Sequence, residues 1–245
     1  MAFRNKALAL LRLRPDVIII PECEAPDLLR NSHDDSMTLV SGPRLRLDSQ
    51  HCAWVGKNSK KGLAVFAFGE YSLRPFPFDL SNGPIWCLPV HVQRNGMDAF
   101  DLMAVWSFYG VDARNRNANP VTHGLEDFAS FFDAKHLVVA GDFNAPLDFA
   151  EKGPGGFQAT NSVLEGRGLV NAYQAFTGEP LGQPAHATFY FRHAKNRPFH
   201  IDHIYVPRGW TSGMTVATGD YDTWVTEHRS DHVPVIVDIE QEAFT

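Results

Sequence analysis

The sequence predicts a mixed α/β fold, and three observations support this prediction. Segments in which apolar residues recur at helical spacing alternate with short segments typical of strands, without internal repeats. Polar clusters follow or interrupt several predicted strands, which places carboxylate, amide and imidazole groups at sheet edges. No shift in composition marks a boundary, so residues 1–245 are expected to form one domain, which is long enough to bury a full core.

The first half of the chain is predicted to contain one helix and four strands. Apolar residues recur at helical spacing over residues 2–13, and Pro15 prevents the helix from continuing. An aliphatic strand follows at 16–20. Apolar or alternating segments predict antiparallel strands at 63–68, 85–92 and 97–108, the last after the turn residues Asn95 and Gly96.

The second half is predicted to begin with a helix that feeds a strand. Leu125, Phe128 and Phe132 have helical spacing within residues 124–135, and a strand follows at 136–140. Glycine and proline predict surface loops at 152–156 and 178–184. Three further strands are expected at 187–191, 200–206 and 233–239.

Charge and cysteine content exclude several classes of protein. The 22 basic and 28 acidic residues give a net charge of −6, and no long basic block suggests a nucleic-acid tail. Cys23, Cys52 and Cys87 form no C-x-x-C pair, so they are expected to be reduced, buried thiols. The longest aliphatic run, at 17–20, is far too short to cross a bilayer, and no leader is apparent, so a cytoplasmic location is expected.

Asp142 and Asn144 form the first candidate site. They follow a predicted strand, and Gly141 is expected to let the backbone turn so that both side chains enter a cleft. A carboxylate there can orient or deprotonate a water molecule, and the amide can donate to a phosphoryl oxygen. The alternative is an ordinary Asx turn.

Asp202, Asp231 and His232 form the second candidate site. A cationic imidazole can stabilise the charge that develops on a phosphate in its transition state, and an adjacent carboxylate can fix its tautomer or hold a metal. Asp202 interrupts an apolar strand, so it needs a partner: an imidazole, a metal site, or a salt bridge to Arg192 or Arg197.

Glu22 offers a hard oxygen ligand after the strand at 16–20, which suits Mg²⁺ or Mn²⁺ better than zinc. Glu24 could replace it, and either residue could be a solvated loop acid. Metal-assisted attack of water on a phosphate ester requires this combination of carboxylates, amide and imidazole. The sequence therefore predicts a hydrolase.

Four segments together resemble motifs of the endonuclease/exonuclease/phosphatase superfamily, which includes DNase I and the exonuclease III-type nucleases. They are PDVIIIPE at 15–22, GDFN at 141–144, IDHI at 201–204 and SDHVP at 230–234, in the family's order. The resemblance implies a four-layer α/β/β/α sandwich of two stacked, mostly antiparallel sheets. It also implies a metal-dependent phosphoesterase, in which a phosphodiesterase or nuclease is favoured.

The resemblance assigns roles to these residues. Glu22 is expected to bind the Mg²⁺ or Mn²⁺ ion, and Asp142 to act on the attacking water. Asn144 and His232 are expected to contact the scissile phosphate. Asp231 would orient His232 or reach the metal, and Asp202 would support the imidazole.

The chain departs from the family's pattern in two places. Trp106 stands near the end of a strand where many members carry His or Tyr. The family also begins with a strand that ends in Trp-Asn, whereas this chain starts at Met1, directly in the following helix. The first strand is therefore expected to be missing here and to be encoded upstream of Met1.

The substrate is expected to be a phosphate ester, with nucleic acid favoured over phospholipid or a small phosphomonoester. Arg114 and Arg116 could bind phosphates, or be solvated surface, and Trp106 could stack on bases, as could Trp54. Two alternatives come from other classes. His200, His203, His228 and His232 could form a zinc hydrolase site, or the fold could be a non-catalytic binding module.

Overall fold

The computed structural model describes residues 3–30, 36–38, 44–76, 87–107, 120–128, 136–144, 157–179, 185–227 and 230–240. The chain divides into two compact units, Met1–Val105 and Trp106–Thr245. The single domain expected for residues 1–245 stays a prediction. None of the helices in these described ranges has the length and apolar character needed to cross a membrane.

The first unit contains the predicted N-terminal helix and strands together with strands that the sequence pattern did not reveal. Its helices are α1 (Phe3–Leu11) and α2 (Pro26–Leu29), and its strands are β1 (Val17–Cys23), β2 (Ser36–Thr38), β3 (Arg44–Arg46), β4 (Cys52–Asn58), β5 (Lys61–Ala67), β6 (Tyr71–Pro75), β7 (Cys87–Arg94) and β8 (Met97–Trp106). All pairings within this unit are antiparallel: β5 lies between β1 and β4, β7 lies between β6 and β8, and β2 pairs with β3.

The core of the first unit lies between its sheets and beneath α1. Strands β4 and β5 contact β6 and β7, so two antiparallel sheets are stacked. The Phe3 ring of α1 stacks on Phe66 of β5 with centroids 5.0 Å apart, and both side chains are buried. Burial of these apolar faces, rather than helix propensity, holds the nine-residue helix in place.

Strand β1 is longer than the sequence predicts, which corrects the expected position of Glu22. The strand continues through Pro21 to Cys23, so Glu22 lies within it and not in a following loop. Among the described strands only β5 pairs with β1, and proline is tolerated in a strand with a single partner. A bulge between Pro21 and Cys23 leaves Glu22 outside the pairing register.

The second unit is built around a short antiparallel sheet. Its helices are α3 (Pro120–Asp127), α4 (Phe157–Gly166) and α5 (Ala172–Thr177), and its strands are β9 (Leu137–Asp142), β10 (Leu169–Asn171), β11 (Phe189–Tyr190), β12 (Pro198–Phe199), β13 (Asp202–Pro207), β14 (Thr215–Thr218) and β15 (Val235–Asp238). Strand β13 lies between β9 and β10, while β11 pairs with β12 and β14 with β15.

Strand β9 also extends beyond its predicted end, so the sharp turn expected at Gly141 is wrong. Gly141 has a φ of +141°, but it lies within the strand opposite His203, and Asp142 pairs with Asp202. Pairing with β13 supplies partners that carry β9 two residues further than its apolar sequence indicates.

Other predicted boundaries also shift. The helix expected at 124–135 begins at Pro120, a residue favoured in the first turn, and its predicted end at 129–135 lies outside the described residues. The strand expected at 187–191 gives way to a 3₁₀ turn at Phe191–His193. The predicted loop at 152–156 and most of the one at 178–184 also lie outside the described ranges.

Candidate active site

The pairing of β9 with β13 brings two predicted carboxylates together. Asp142 and Asp202 are direct partners across the antiparallel pair, so their side chains lie on the same face. An isolated bridge between Phe189 and His232 brings the imidazole to these carboxylates. One ligand atom from each of Asp142, Asp202 and His232 lies within 4.8 Å of the others.

His232 and Asp202 form an ion pair at the centre of this group. The Nδ1 atom of His232 lies 2.9 Å from Oδ2 of Asp202, so the expected imidazole partner of Asp202 is present. Burial alone would lower the pKa of His232, but the charge and hydrogen bond of Asp202 outweigh it and raise the pKa to about 9. Asp142 and Asp231 add to this effect. Burial likewise opposes ionisation of Asp202, yet His232 holds its pKa below the ordinary value.

The protonation state limits what the imidazole can do. At neutral pH a ring with a pKa of about 9 is a cation, and both of its nitrogens are then donors. Because Nδ1 is directed at Asp202, the second donor, Nε2–H, is the one that a substrate oxygen can accept. The group therefore consists of two carboxylates and one imidazolium.

Asn144 holds Asp142 in place. The backbone N–H of Asn144 donates to Asp142 Oδ1 at 2.8 Å, which is the Asx turn considered from the sequence. Its side-chain amide donates to Asp142 Oδ2 at 3.1 Å and to the carbonyl of Ser107. Both amide hydrogens thus have acceptors inside the protein, and the direct geometric role of Asn144 is to orient the Asp142 carboxylate.

Thr188 is a supporting residue that the sequence analysis missed. Its hydroxyl oxygen accepts hydrogen bonds from the backbone N–H of Ile201 at 3.0 Å and of Asp202 at 3.1 Å, and it is fully buried. A side-chain hydrogen bond from Thr188 also favours the ionised form of Asp202. Thr188 directly precedes the two-residue strand β11, and a single threonine there gives no local signal of this role, because its partners lie more than ten positions away.

Backbone pairing fixes the segment that carries His232. The N–H of Val233 donates to the Thr188 carbonyl, and the N–H of Tyr190 donates to the Asp231 carbonyl, both at 2.8 Å. The buried hydroxyl of Ser230 accepts from the backbone N–H of His232 at 3.1 Å. Thr188 thus supports both members of the ion pair.

The remaining predicted residues fall in different places. Asp231 adjoins His232 in sequence, but its carboxylate is not part of the three-residue group. Trp106 is buried, with 5% of its surface exposed, and Glu22 belongs to the first unit. Arg114 and Arg116 lie outside the described residues.

The described histidines do not form the alternative zinc site. His200 and His203 are buried, and their rings stack on each other with centroids 5.2 Å apart. The ring nitrogen Nδ1 of His200 lies 2.7 Å from the His186 carbonyl, and burial lowers the pKa of His200. His228 lies outside the described ranges. Within those ranges, the only group suited to a metal is the one with two carboxylates.

Solved structures similar to this chain include nucleases and phosphatases. The 3′-5′ exonuclease NExo from Neisseria meningitidis is 18% identical, with a TM-score of 0.57, and the match covers 98% of this chain and 96% of that one. The NExo 3′ phosphatase from Neisseria, bound to a product DNA hairpin, matches with the same identity and coverage and a TM-score of 0.59. An AP endonuclease from Archaeoglobus fulgidus is 13% identical, with the same coverage and a TM-score of 0.64.

No protein-family model and no curated protein matches the chain. The similarity to solved structures nevertheless extends over nearly the whole chain. The chain therefore shares the fold of these solved structures, and the α/β sandwich implied by the four motifs is confirmed.

The ion pair predicts a specific dependence of stability on pH. Because the folded-state pKa of His232 lies above 6.5, protonation stabilises the fold fully below pH 6.5, and this contribution is lost as pH rises through about 9. In EDTA, the free energy of unfolding of the wild type should fall by up to about 3 kcal/mol more than that of His232→Gln over this range.

The matched control is His91→Gln, because His91 pairs with Asp101 at 2.6 Å on another part of the chain. In the His91→Gln variant, the free energy of unfolding should decrease with rising pH by as much as it does in the wild type, as measured by urea unfolding. Parallel pH curves for the wild type and His232→Gln would contradict the assignment.

The substitution Thr188→Val removes the hydroxyl but keeps the shape of the side chain at position 188, and it should weaken the contacts that hold Asp202 in place. Two buried N–H groups lose their acceptor, which costs on the order of 1–3 kcal/mol, and the pKa of Asp202 should rise. NMR titration of the Asp202 carboxyl provides the measurement. Thr188→Ser keeps the hydroxyl and should retain the low pKa; a rise of equal size in both variants would refute the role of the hydroxyl.

Proposed function

We propose that the protein is a divalent-metal-dependent phosphoesterase that hydrolyses phosphodiester bonds of nucleic acids. The observation that carries this proposal is the meeting of Asp142, Asp202 and a protonated His232 at the junction of β9 and β13. Three motifs far apart in sequence supply these residues. The known activities of proteins with this fold support the same reaction class.

In the proposed reaction, His232 binds and stabilises the phosphate. Its Nε2–H donates to a non-bridging phosphoryl oxygen, and its positive charge offsets the negative charge that builds on that oxygen. Asp202 keeps the ring protonated and fixes its orientation. A ring in this state is an electrostatic stabiliser and not a general base.

Asp142 is the proposed base or orienting group for the attacking water. Both carboxylate oxygens accept from Asn144, which fixes the direction of their remaining lone pairs. Asn144 reaches a phosphoryl oxygen only by exchanging one of its two internal acceptors. We therefore assign Asn144 first to holding Asp142 and second to binding substrate.

The donor set fits a hard divalent cation such as Mg²⁺ or Mn²⁺. Asp142 and Asp202 supply carboxylate oxygens within 4.8 Å of each other, and such oxygens are the ligands that these ions prefer. Glu22 and Asp231 are the further proposed ligands. When bound, such an ion polarises the phosphate and lowers the pKa of a coordinated water.

A basic and aromatic hairpin beside His232 favours nucleic acid as the substrate. Phe189 lies against the imidazole, with ring centroids 4.7 Å apart, and also contacts Phe191. Phe191 is 39% exposed, and the guanidinium groups of Arg192 and Arg197 lie 5.2 and 5.7 Å from its ring centroid. An exposed ring with adjacent cations suits a base and its neighbouring phosphates. Arg114, Arg116 and Trp106 stay proposed substrate-binding residues.

The reaction class is tested with a substrate panel. Single- and double-stranded DNA, RNA, bis-p-nitrophenyl phosphate, sphingomyelin and phosphoinositides are incubated with Mg²⁺, Mn²⁺ or EDTA. Nucleic acids should be cleaved with either ion, and EDTA should abolish the reaction. Absence of turnover on the whole panel would favour a non-catalytic binding module, and cleavage of phosphomonoesters alone would favour a phosphatase.

Site variants test the assigned roles. Asp142→Asn and His232→Gln should each lower the turnover number by roughly a hundredfold or more, because each removes proton transfer or charge stabilisation in the transition state. Glu22→Gln should raise the metal concentration needed for half-maximal activity. His91→Gln, which breaks an unrelated His–Asp pair, should keep the wild-type rate; near-wild-type turnover in Asp142→Asn would remove it from the catalytic role.

Variants of the hairpin test the substrate class. The double variant Arg192→Gln/Arg197→Gln should raise KM for DNA several-fold. Because two cations are lost, the slope of log Kd against log salt concentration should decrease by the amount expected for about two phosphate contacts. Hydrolysis of bis-p-nitrophenyl phosphate should be unchanged, and so should DNA binding by the control Arg208→Gln. Equal loss on both substrates would show that the hairpin supports the site rather than nucleic-acid binding.

A further inference from the structure

Glu22 has a backbone conformation that its side chain disfavours. Its φ is +59°, in the left-handed region, and it occupies the bulge between Pro21 and Cys23. Glycine is the usual residue at such a position, because any side chain crowds the backbone there. The surrounding structure must therefore hold this conformation against its intrinsic cost.

Trp54 supplies the contact that holds the end of the bulge. Its indole Nε1–H donates to the carbonyl of Cys23, the residue that follows Glu22, at 3.1 Å. Trp54 lies on β4, 31 positions from Cys23 in sequence, and is half-buried. The indole thus ties β4 to the backbone of β1 directly after the strained residue.

Two glycines make room for this indole. A Cβ atom added to Gly62 would lie 2.4 Å from the Cε2 and Cζ2 atoms of Trp54, and one added to Gly56 would lie 2.6 Å from Cζ2. Gly62 is also the pairing partner of Cys23 across β1 and β5. The ring therefore occupies the space beside Gly62, where the bulge ends and strand pairing resumes.

The carboxylate of Glu22 is then presented beside a cation of the protein. Its Oε1 atom lies 2.7 Å from Nζ of Lys61, and both side chains are more than a third exposed. An exposed pair of this kind contributes little to stability, so it does not account for the strained backbone. The hydrogen bond from the Trp54 indole to the Cys23 carbonyl, in contrast, acts on the backbone directly after Glu22.

We propose that Trp54 is a positioning residue, which stabilises the left-handed conformation of Glu22 so that its carboxylate is available to a divalent cation. This inference rests on the proposed role of Glu22 as a metal ligand. It assigns to the indole N–H a role in metal affinity that is separable from its packing.

The first test compares two tryptophan variants of the full chain by Mn²⁺ binding, measured by calorimetry and electron paramagnetic resonance. Trp54→Phe keeps an aromatic ring but removes the N–H, and should raise the Kd for Mn²⁺ about fivefold, the factor expected for one net hydrogen bond. The control Trp210→Phe replaces a buried tryptophan of the second unit and should change Kd less than twofold. An unchanged Kd in Trp54→Phe would overturn the proposal.

The second test measures the coupling between Trp54 and the strained backbone. Glu22→Gly removes the steric cost of the positive φ and should raise Tm by about 2–4 °C. Trp54→Phe should lower Tm in the wild type and by clearly less in the Glu22→Gly background, because glycine needs no support there. Equal losses in both backgrounds would mean that Trp54 only packs the sheet, and would also overturn the proposal.

Two further variants keep the outcomes distinct. If Trp54→Phe does not fold, benzothienylalanine at position 54 retains the shape of the ring and removes only the N–H. Glu22→Gln tests the assumption beneath the proposal: wild-type Mn²⁺ affinity in that variant would remove Glu22 from the ligand set. If Mn²⁺ affinity is weakened in Glu22→Gln but unchanged in Trp54→Phe, the proposed role of Trp54 is rejected and the role of Glu22 as a ligand is retained.

Discussion

The ion pair between Asp202 and His232 is the interaction on which the candidate site depends. Two charges that are largely removed from water are costly unless each has good partners. The imidazolium of His232 and the hydroxyl of Thr188 offset this cost for Asp202. The backbone around His232 is fixed by a hydrogen bond to Ser230 and by pairing with residues 188–190. Because the pair uses Nδ1 and keeps the ring protonated, it also decides which chemistry His232 can perform.

The net charge of the chain is negative, whereas the site contains positive charges, and these local charges determine whether a phosphate can bind. A net charge of −6 gives no general attraction for a polyanion. His232 offers one positive charge next to Asp142 and Asp202, and the hairpin adds Arg192 and Arg197 at the Phe191 ring. In the proposed reaction, the phosphate therefore needs either these cations or a bound divalent ion to balance the negative charge of the carboxylates.

Sequence alone located the parts of the site but not their connections. The segments at 141–144, 201–204 and 230–234 were found because their acidic and imidazole residues contrast with apolar neighbours, and the fold they imply is the one observed. Strands β4 and β6 were missed, because Lys57, Asn58 and Arg74 interrupt their apolar patterns and their stability comes from partners distant in sequence.

The roles of individual residues depend on such distant contacts even more strongly. The amide of Asn144 was expected at the substrate, yet it is engaged by Asp142 and by Ser107, 37 positions away. Thr188 has its partners at 201 and 202, and no periodicity or motif relates them. The ends of strands depend on distant contacts in the same way. Strands β1 and β9 both continue beyond their apolar residues, because their partner strands supply pairing there.

Backbone strain provides a signal of function that is independent of any motif. Among the described residues, those other than glycine with a positive φ are Arg14, Glu22, Asn95, Asn144, Arg192 and His193. Two of these positions have ordinary structural causes: Arg14 follows the end of α1 directly before Pro15, and Asn95 occupies the turn between β7 and β8.

The other four lie at the proposed ligand Glu22, at the residue that orients Asp142, and at the tip of the basic hairpin. Local sequence preference favours glycine, asparagine, aspartate or histidine at such positions, so Asn144 and His193 agree with it and Glu22 and Arg192 do not. Strain of this kind persists only where surrounding contacts outweigh it, and it accumulates where a side chain is needed in a particular direction. The conflict between local preference and observed conformation therefore falls on Glu22 and Arg192, two residues to which the proposed chemistry assigns a role.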